Sequence, residues 1–256
     1  MNNSSPIGSV DKALSALDAL ANAGAIGAQL AELAAAIGVH KATLHRTLAA
    51  LRHRGYVEQT WGGAYRLGPA ALMLGRTFLA EENLPSLLRP CLERICVEVG
   101  ELVHLGALAG RDIVYLDKVE PQRAVRVWSA IGLRRPAATT ALGRAWLAAL
   151  PLDDGEIEWF AGNGVDSGTL RQAINAAQSQ GYGEENEENE PGICCVAVAL
   201  LREGRPVAAV SITAPAERNT EAARAERLTT LRHLLPTLLP PGLTIPAALP
   251  ESREPR

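Results

Sequence analysis

Residues 41–53, KATLHRTLAALRH, are two-sided, and this constrains the chain more than any other stretch. Leu44, Leu48 and Leu51 recur along one stripe of a helix, while Ala42, Arg46, Ala49 and His53 fall opposite at about 100° per residue, flanked by Lys41 and His45. Just upstream, AQLAELAAAIG puts Leu30, Leu33, Ala34 and Ile37 on one face and stops at Gly38, where a positive φ is tolerated. Two helices joined at a glycine turn, the second apolar inside and small-plus-basic outside, form the helix-turn-helix pattern. YVEQT, the turn WGG and AYRLG then read as a β-hairpin, placed as a wing from which Arg66 would reach phosphate. Before this motif, SVDKALSALDALANAG predicts a helix from Val10, capped by Ser9, closed at Gly24, and buried along Val10, Leu14, Leu17 and Ala21.

Charge supports a nucleic-acid partner for this segment alone. The whole chain carries −3, yet residues 38–68 hold Lys41, Arg46, Arg52, Arg54 and Arg66 against the single acid Glu58. Such a patch on a near-neutral chain is a localised footprint. A helix seated in a major groove about 12 Å wide favours small residues at the centre of its exposed face and long donors near its N-terminus. Ala42 and Ala49 meet the first need, and Lys41, His45 and Arg46 the second, each able to serve phosphate or base. From spacing alone the competing reading is an ordinary solvated amphipathic helix. His40, His45 and His53 match no zinc spacing, so no metal is expected.

Length and composition bound the remainder. At 256 residues, 47% hydrophobic and 21% charged, the chain suits two compact folded units. Residues 1–8 are expected to be a disordered tail. The N-terminus shows no basic region followed by an apolar core, and no run approaches the ~18 apolar residues of a membrane span, which points to the cytoplasm and to no membrane partner. Cys91, Cys96, Cys194 and Cys195 form no C-x-x-C and stand apart from histidine at ligand spacing; Cys91 and Cys96 read as buried small hydrophobes.

Beyond Pro69, AALMLGRTFLAEE predicts a helix over 69–83, and LPSLLRPCLERICVEVG a second one covering a sheet through Leu84, Leu88, Cys91, Leu92, Ile95 and Val99. Strands are expected at LVHLGALA, IVYLDKVE and AVRVWSA, helices near 140–150, 153–161 and 168–180, strands at 193–201 and 206–213, and a helix over 217–239. This mixed order indicates an α+β domain over 84–240, followed by a loose proline-rich tail over 241–256. In GLRRPAATTALGRAWLAAL, Thr139 or Thr140 would cap a helix whose inner face holds Leu142, Trp146 and Ala149, leaving the N–H groups of Ala141 and Leu142 open to a carboxylate. Five glutamates in residues 184–190 read in isolation as a solvated acidic loop.

From Ser9 to about Pro240 the chain resembles the IclR family of bacterial transcriptional regulators. The resemblance rests on GVHKATLHRTLAALRHRGYVE followed by YRLG, on PAATTALGRA, and on the glutamate run before GICCVA. It implies a winged helix-turn-helix domain over 9–68, a linker helix over 69–83 that helps dimerise the DNA-binding halves, and a GAF-like α+β effector-binding domain. Departures are His40 for the usual proline, Ala42 for a common serine, Ala138 for a frequent histidine and Arg144 for the usual lysine. The implied DNA contacts are Lys41, Ala42, Thr43, His45, Arg46 and Arg66. The implied effector set is Thr140, Ala141, Leu142, Glu185, Cys195 and Ser211, suited to a small organic acid.

Cys194 and Cys195 must face opposite sides of a strand, so only one can line a pocket. An enzyme built on Cys195 and His104 lacks G-x-S-x-G, phosphate-loop or HExxH support. The expectation is therefore a homodimeric or homotetrameric regulator with operator DNA and a small-molecule effector as partners and no cofactor. A thiol-based redox sensor that binds DNA without an effector is the alternative.

Overall fold

The computed structural model describes residues 8–81, 83–124, 127–162 and 164–247. The chain divides after Asn83 into two compact units.

The first unit runs α1 (Gly8–Ala23), a 3-10 turn (Gly24–Ile26), α2 (Leu30–Ile37), α3 (Lys41–His53), β1 (Val57–Gln59), β2 (Tyr65–Leu67) and α4 (Ala70–Glu81). α2 ends because Gly38 adopts the left-handed conformation, φ 72°, and its N–H bonds back to the last turn. His40 then starts α3 in extended backbone at φ −66°, close to the value proline would impose, so this departure from the family pattern leaves the turn unchanged. The core of the unit is Ala16, Leu20, Leu33, Ala34, Leu44, Leu48, Val57 and Tyr65. The α2 and α3 stripes are as expected; the α1 stripe is not. Val10 and Leu14 are exposed, at 52% and 57%, and the buried side is Ala16 and Leu20 with Leu17 partly covered. α1 already includes Gly8, so Ser9 lies within its first turn and is not its cap. Leu72 on α4 is exposed.

The second unit contains α5 (Leu84–Val99), β3 (Leu102–Ala109), β4 (Asp112–Val119), β5 (Arg134–Pro136), a 3-10 turn (Ala137–Thr139), α6 (Ala141–Ala148), α7 (Asp154–Ala161) and α8 (Ser167–Gln180). It continues with β6 (Gly183–Asn186), β7 (Ile193–Arg202), β8 (Arg205–Pro215), a 3-10 turn (Ala216–Arg218), α9 (Glu221–Leu238) and β9 (Leu243–Thr244). The antiparallel sheet has the order β5-β4-β3-β8-β7-β6, with β9 also on β7. Period-two alternation sorts its residues into two layers. Val196, Val198, Leu200, Ala208, Val210 and Ile212 pack with α5 and α9. Ala197, Ala199 and Ala209 pack with α6, α7 and α8, whose large side chains Leu142, Trp146 and Phe160 fill the space those alanines leave.

Three expectations are corrected. AVRVWSA is not a strand over residues 127–130, and residues 125–126 lie outside the described residues; Arg134–Pro136 takes the β4 edge instead. The acidic run begins as β6, paired with residues 194–197. The tail is not loose from its start, since Leu243 and Thr244 pair with Arg202 and Leu201; the end of the tail, like residues 1–7, lies outside the described residues.

Candidate functional site

Lys41, Ala42, His45, Arg46 and Ala49 stand exposed on the outer face of α3, anchored from beneath by buried Leu44 and Leu48. Thr43 is half-buried, and its carbonyl accepts a bond from the Thr47 hydroxyl at 3.2 Å. Among the described residues, Lys41, His45 and Arg46 form no ion pair, so their donors face outward uncommitted. Arg66 differs. It lies opposite Glu58 across the β1–β2 hairpin, and its Nε donates to Glu58 Oε1 at 2.5 Å, so the wing answers much of its own charge.

In the second unit the sequence-expected residues converge on the α6 side of the sheet. Thr140, rather than Thr139, caps α6: its Oγ1 accepts from Gly143 N–H at 3.1 Å, and its hydroxyl donates to the Pro136 carbonyl at 3.1 Å. A cap of this kind contributes about 1 kcal/mol. With both hydrogen-bonding roles filled, Thr140 serves the helix. Among the described residues, the backbone N–H donors of buried Ala141 and Leu142, at the positive end of the dipole, have no hydrogen-bond partner. α6 lies unusually close to β6 because Gly183 permits it: a Cβ there would stand 2.4 Å from the Ala141 carbonyl oxygen.

Across the sheet, register puts Glu185, Cys195 and Thr213 in one row and Ala197, Ser211 and His104 in the next. Glu185 is engaged by its own loop. Its Oε1 accepts the N–H groups of Glu188 at 2.8 Å and Asn189 at 3.1 Å, closing the loop after β6, while burial pushes its carboxyl upward. Cys195 Sγ lies 3.3 Å from Thr213 Oγ1, which lies 3.3 Å from His104 Nδ1; His104 Nε2 lies 2.7 Å from Ser129 Oγ. His104 stacks on Tyr115 with ring centroids 4.3 Å apart, and burial, assisted by Lys118, pushes its pKa down to about 3. The imidazole is therefore neutral at physiological pH. Ser211 is 2% exposed, and among the described residues its hydroxyl has no partner.

Sequence reasoning singled out Arg144 only as a departure from the family's lysine, and passed over Thr213, Ser129 and Tyr115. Thr213 had a signal, being two residues beyond Ser211 on one strand and hence on the same face. Arg144 is buried: Nε donates to the Ala138 carbonyl at 3.1 Å, Nη1 to the Glu184 carbonyl at 2.9 Å, and Nη1 and Nη2 to the Glu188 carboxylate at 2.7 and 2.5 Å.

Burial raises the thiol pKa of Cys194 and raises that of Cys195 far more, which suppresses the reactive thiolate. Cys194 donates to Asn186 Oδ1 at 2.8 Å on the other side of the strand. Cys195 and His104 share a face but are separated by Thr213, so they do not form a nucleophile–base pair.

A helix-turn-helix with a wing, followed by a separate α+β domain, is the architecture of a DNA-binding transcriptional regulator. Residues 9–60 match the IclR helix-turn-helix domain and residues 76–235 match the bacterial transcriptional regulator IclR C-terminal domain. The chain belongs to the IclR family of transcriptional regulators, which are DNA-binding proteins and not enzymes. It is 34% identical over 230 residues to the HTH-type transcriptional regulator XynR of Escherichia coli, covering 86% of this chain and 90% of that one. A putative IclR transcriptional regulator from Silicibacter superposes with a TM-score of 0.74 at 26% identity, covering 92% of this chain and 99% of its own. An IclR homologue from Microbacterium hydrocarbonoxydans, crystallised with 4-hydroxybenzoate, superposes with a TM-score of 0.66 at 21% identity, covering 88% and 99%. No helix among the described residues is long and apolar enough to cross a membrane.

Proposed function

We propose that the second unit is an effector-binding domain for a small organic or aromatic acid, and that its occupancy changes the affinity of the first unit for operator DNA. The observation that carries this reading is the buried, unpartnered Ser211 hydroxyl on the sheet face against which α6 packs. The carboxylate sits on the N–H groups of Ala141 and Leu142; Ser211 and the Cys195–Thr213 pair meet a hydroxyl or carbonyl at the other end. Glu185 acts by holding its loop rather than by touching an anion it would repel. On the DNA side, Lys41, Ala42, Thr43, His45 and Arg46 enter the major groove, and Arg66 flanks them. The regulator works as a homodimer or homotetramer in the cytoplasm, with two α3 helices on half-sites about one helical turn apart. Linkage then requires that DNA shift effector affinity by the factor by which effector shifts DNA affinity.

The test is fluorescence anisotropy on a duplex selected from a random pool by the protein, titrated with a panel of acids beginning with 4-hydroxybenzoate. The expected result is that an acid changes DNA affinity, and that Ser211→Ala weakens its effect while leaving affinity without acid intact. An acid response untouched by Ser211→Ala, or no response across the panel, overturns the assignment.

A further inference from the structure

Trp61 occupies the turn between β1 and β2, fully exposed, on a hairpin that is otherwise held firmly in place. Thr60 N–H bonds to the Ala64 carbonyl at 2.8 Å and Gly63 N–H to the Thr60 carbonyl at 2.9 Å, fixing the turn itself. Two side chains tie the turn to the helices. Gln29, at the start of α2, donates to the Gly62 carbonyl at 3.2 Å, and Arg52, in the last turn of α3, donates to Gln59 Oε1 at 2.7 Å. Gln59 in turn donates to the Gly63 carbonyl at 3.1 Å. An indole that could have folded back onto the unit is instead presented outward by a braced support.

We infer that Trp61 seats in the DNA minor groove beside the half-site read by α3, as an apolar wedge at the tip of the wing. The inference rests on the DNA-binding role of the first unit. With α3 in the major groove, a hairpin bonded to its last turn is carried alongside the adjoining phosphate ridge, with its tip directed toward the neighbouring minor groove. Electrostatics permits the approach: Glu58, the acid on the hairpin, is neutralised by Arg66, and the Arg52 guanidinium is bonded to a neutral amide, so its charge stays available. Exposed Arg54 adds a further cation at the base of the wing. Apolar side chains inserted from a basic scaffold are a recurring minor-groove device, and the indole N–H can also donate to a phosphate or base-edge acceptor.

The test compares wild type, Trp61→Phe and Trp61→Ala on a duplex selected by the wild-type protein. Because Trp61 is fully exposed, both variants should keep the wild-type circular dichroism and melting temperature. The expected outcome is a loss of DNA affinity of about tenfold for Trp61→Ala, the scale of one aromatic contact with nucleic acid, and a smaller loss for Trp61→Phe. The difference in fluorescence between wild type and Trp61→Phe isolates this indole from Trp128, Trp146 and Trp159, and it should change on DNA binding. Hydroxyl-radical footprinting, which reports minor-groove sugars, should lose protection only beside the half-site in Trp61→Ala. Unchanged affinity and footprint overturn the inference, as does a loss of affinity traced by sedimentation to a changed oligomeric state, which would make Trp61 a contact between copies. A protein that selects no duplex overturns this inference together with the DNA-binding reading.

Discussion

Arg144 and Glu188 are joined by two parallel hydrogen bonds of 2.7 and 2.5 Å, linking α6 to the loop that follows β6. The same guanidinium holds the carbonyls of Ala138 and Glu184, so one buried side chain fixes the turn before α6, the edge strand and the loop.

Removing that side chain takes its donor from the buried Ala138 carbonyl and the half-buried Glu184 carbonyl. Arg144→Ala should therefore destabilise the protein by about 2–4 kcal/mol, measured by urea unfolding. Arg144→Lys should recover only part of this, because an ammonium cannot reproduce the bidentate fork. A loss below ~0.5 kcal/mol, the range of ordinary surface substitutions, would show that the clamp is dispensable.

Glu188 and Glu185 should respond to acid with opposite signs. The Arg144 guanidinium holds the Glu188 carboxyl below the usual carboxylate range, so its contribution is present at neutral pH and disappears as pH falls through the folded value. Burial holds Glu185 above that range, so its ionised form opposes folding at neutral pH and protonation relieves the cost. Thermal melts of Glu188→Gln and Glu185→Gln should show the first less stable than wild type at pH 7 and equal to it in acid. Glu185→Gln, which retains an acceptor for the two loop N–H groups and removes the buried charge, should be more stable than wild type at pH 7. The reverse ranking would invert the assignment of the two carboxylates.

His104 is depressed to about 3, against an ordinary value of 6.5 in the unfolded chain. Below pH 6.5 the unfolded state binds a proton that the folded state refuses, so stability falls with decreasing pH until the folded value is reached. The slope from one such group approaches 1.4 kcal/mol per pH unit, following from the ~1.36 kcal/mol equivalence of one pKa unit. Urea unfolding between pH 6 and 4 should show this component in wild type and lack it in His104→Gln. An identical pH dependence in both proteins would place the imidazole in contact with water.

On DNA, Arg46 and Arg66 should behave differently despite equal charge. Arg46→Ala should cost about 1–3 kcal/mol if it reads a base, or flatten the salt dependence by about one unit if it meets phosphate. Arg66→Ala should cost less, since Glu58 already engages the guanidinium. Glu58→Ala, by releasing Arg66, should strengthen binding and steepen the salt slope. Equal losses from Arg46→Ala and Arg66→Ala would show that the Glu58 pair opens on DNA.

Legibility followed the strength of each local signal. α2 and α3 were readable because Gly38 fixes the turn and large leucines mark one face. In α1 two stripes compete: Val10, Leu14, Leu17 and Ala21 against Ala16, Leu17 and Leu20. The second is buried because alanine lets α1 come close to its neighbours, a preference that hydrophobicity alone does not express. AVRVWSA alternates like a strand, but the β4 edge was already occupied by residues 134–136. β6 was hidden by its glutamates, which disfavour strands in general, although Glu184 pairs with Arg224 and Glu185 with backbone donors. Sequence narrowed the cap to Thr139 or Thr140, alternation allowed only one of Cys194 and Cys195 on the α6 face, and the family motif pointed to Ser211 on the neighbouring strand. The Arg144 clamp could not, because its partners lie about forty residues away in sequence.

The double engagement of Thr140 bears on how such a pocket can be retuned. The donors assigned to the carboxylate belong to the main chain, and most single substitutions leave a peptide N–H in place. In the proposed pocket, what the chain could revise freely is the far wall at Cys195, Ser211 and Thr213, where exchanging thiol, hydroxyl and methyl groups would alter which acid fits without loosening the grip on acids as such. On the proposed binding mode, recognition would be divided between a fixed handle, common to many compounds, and an editable surface that selects among them.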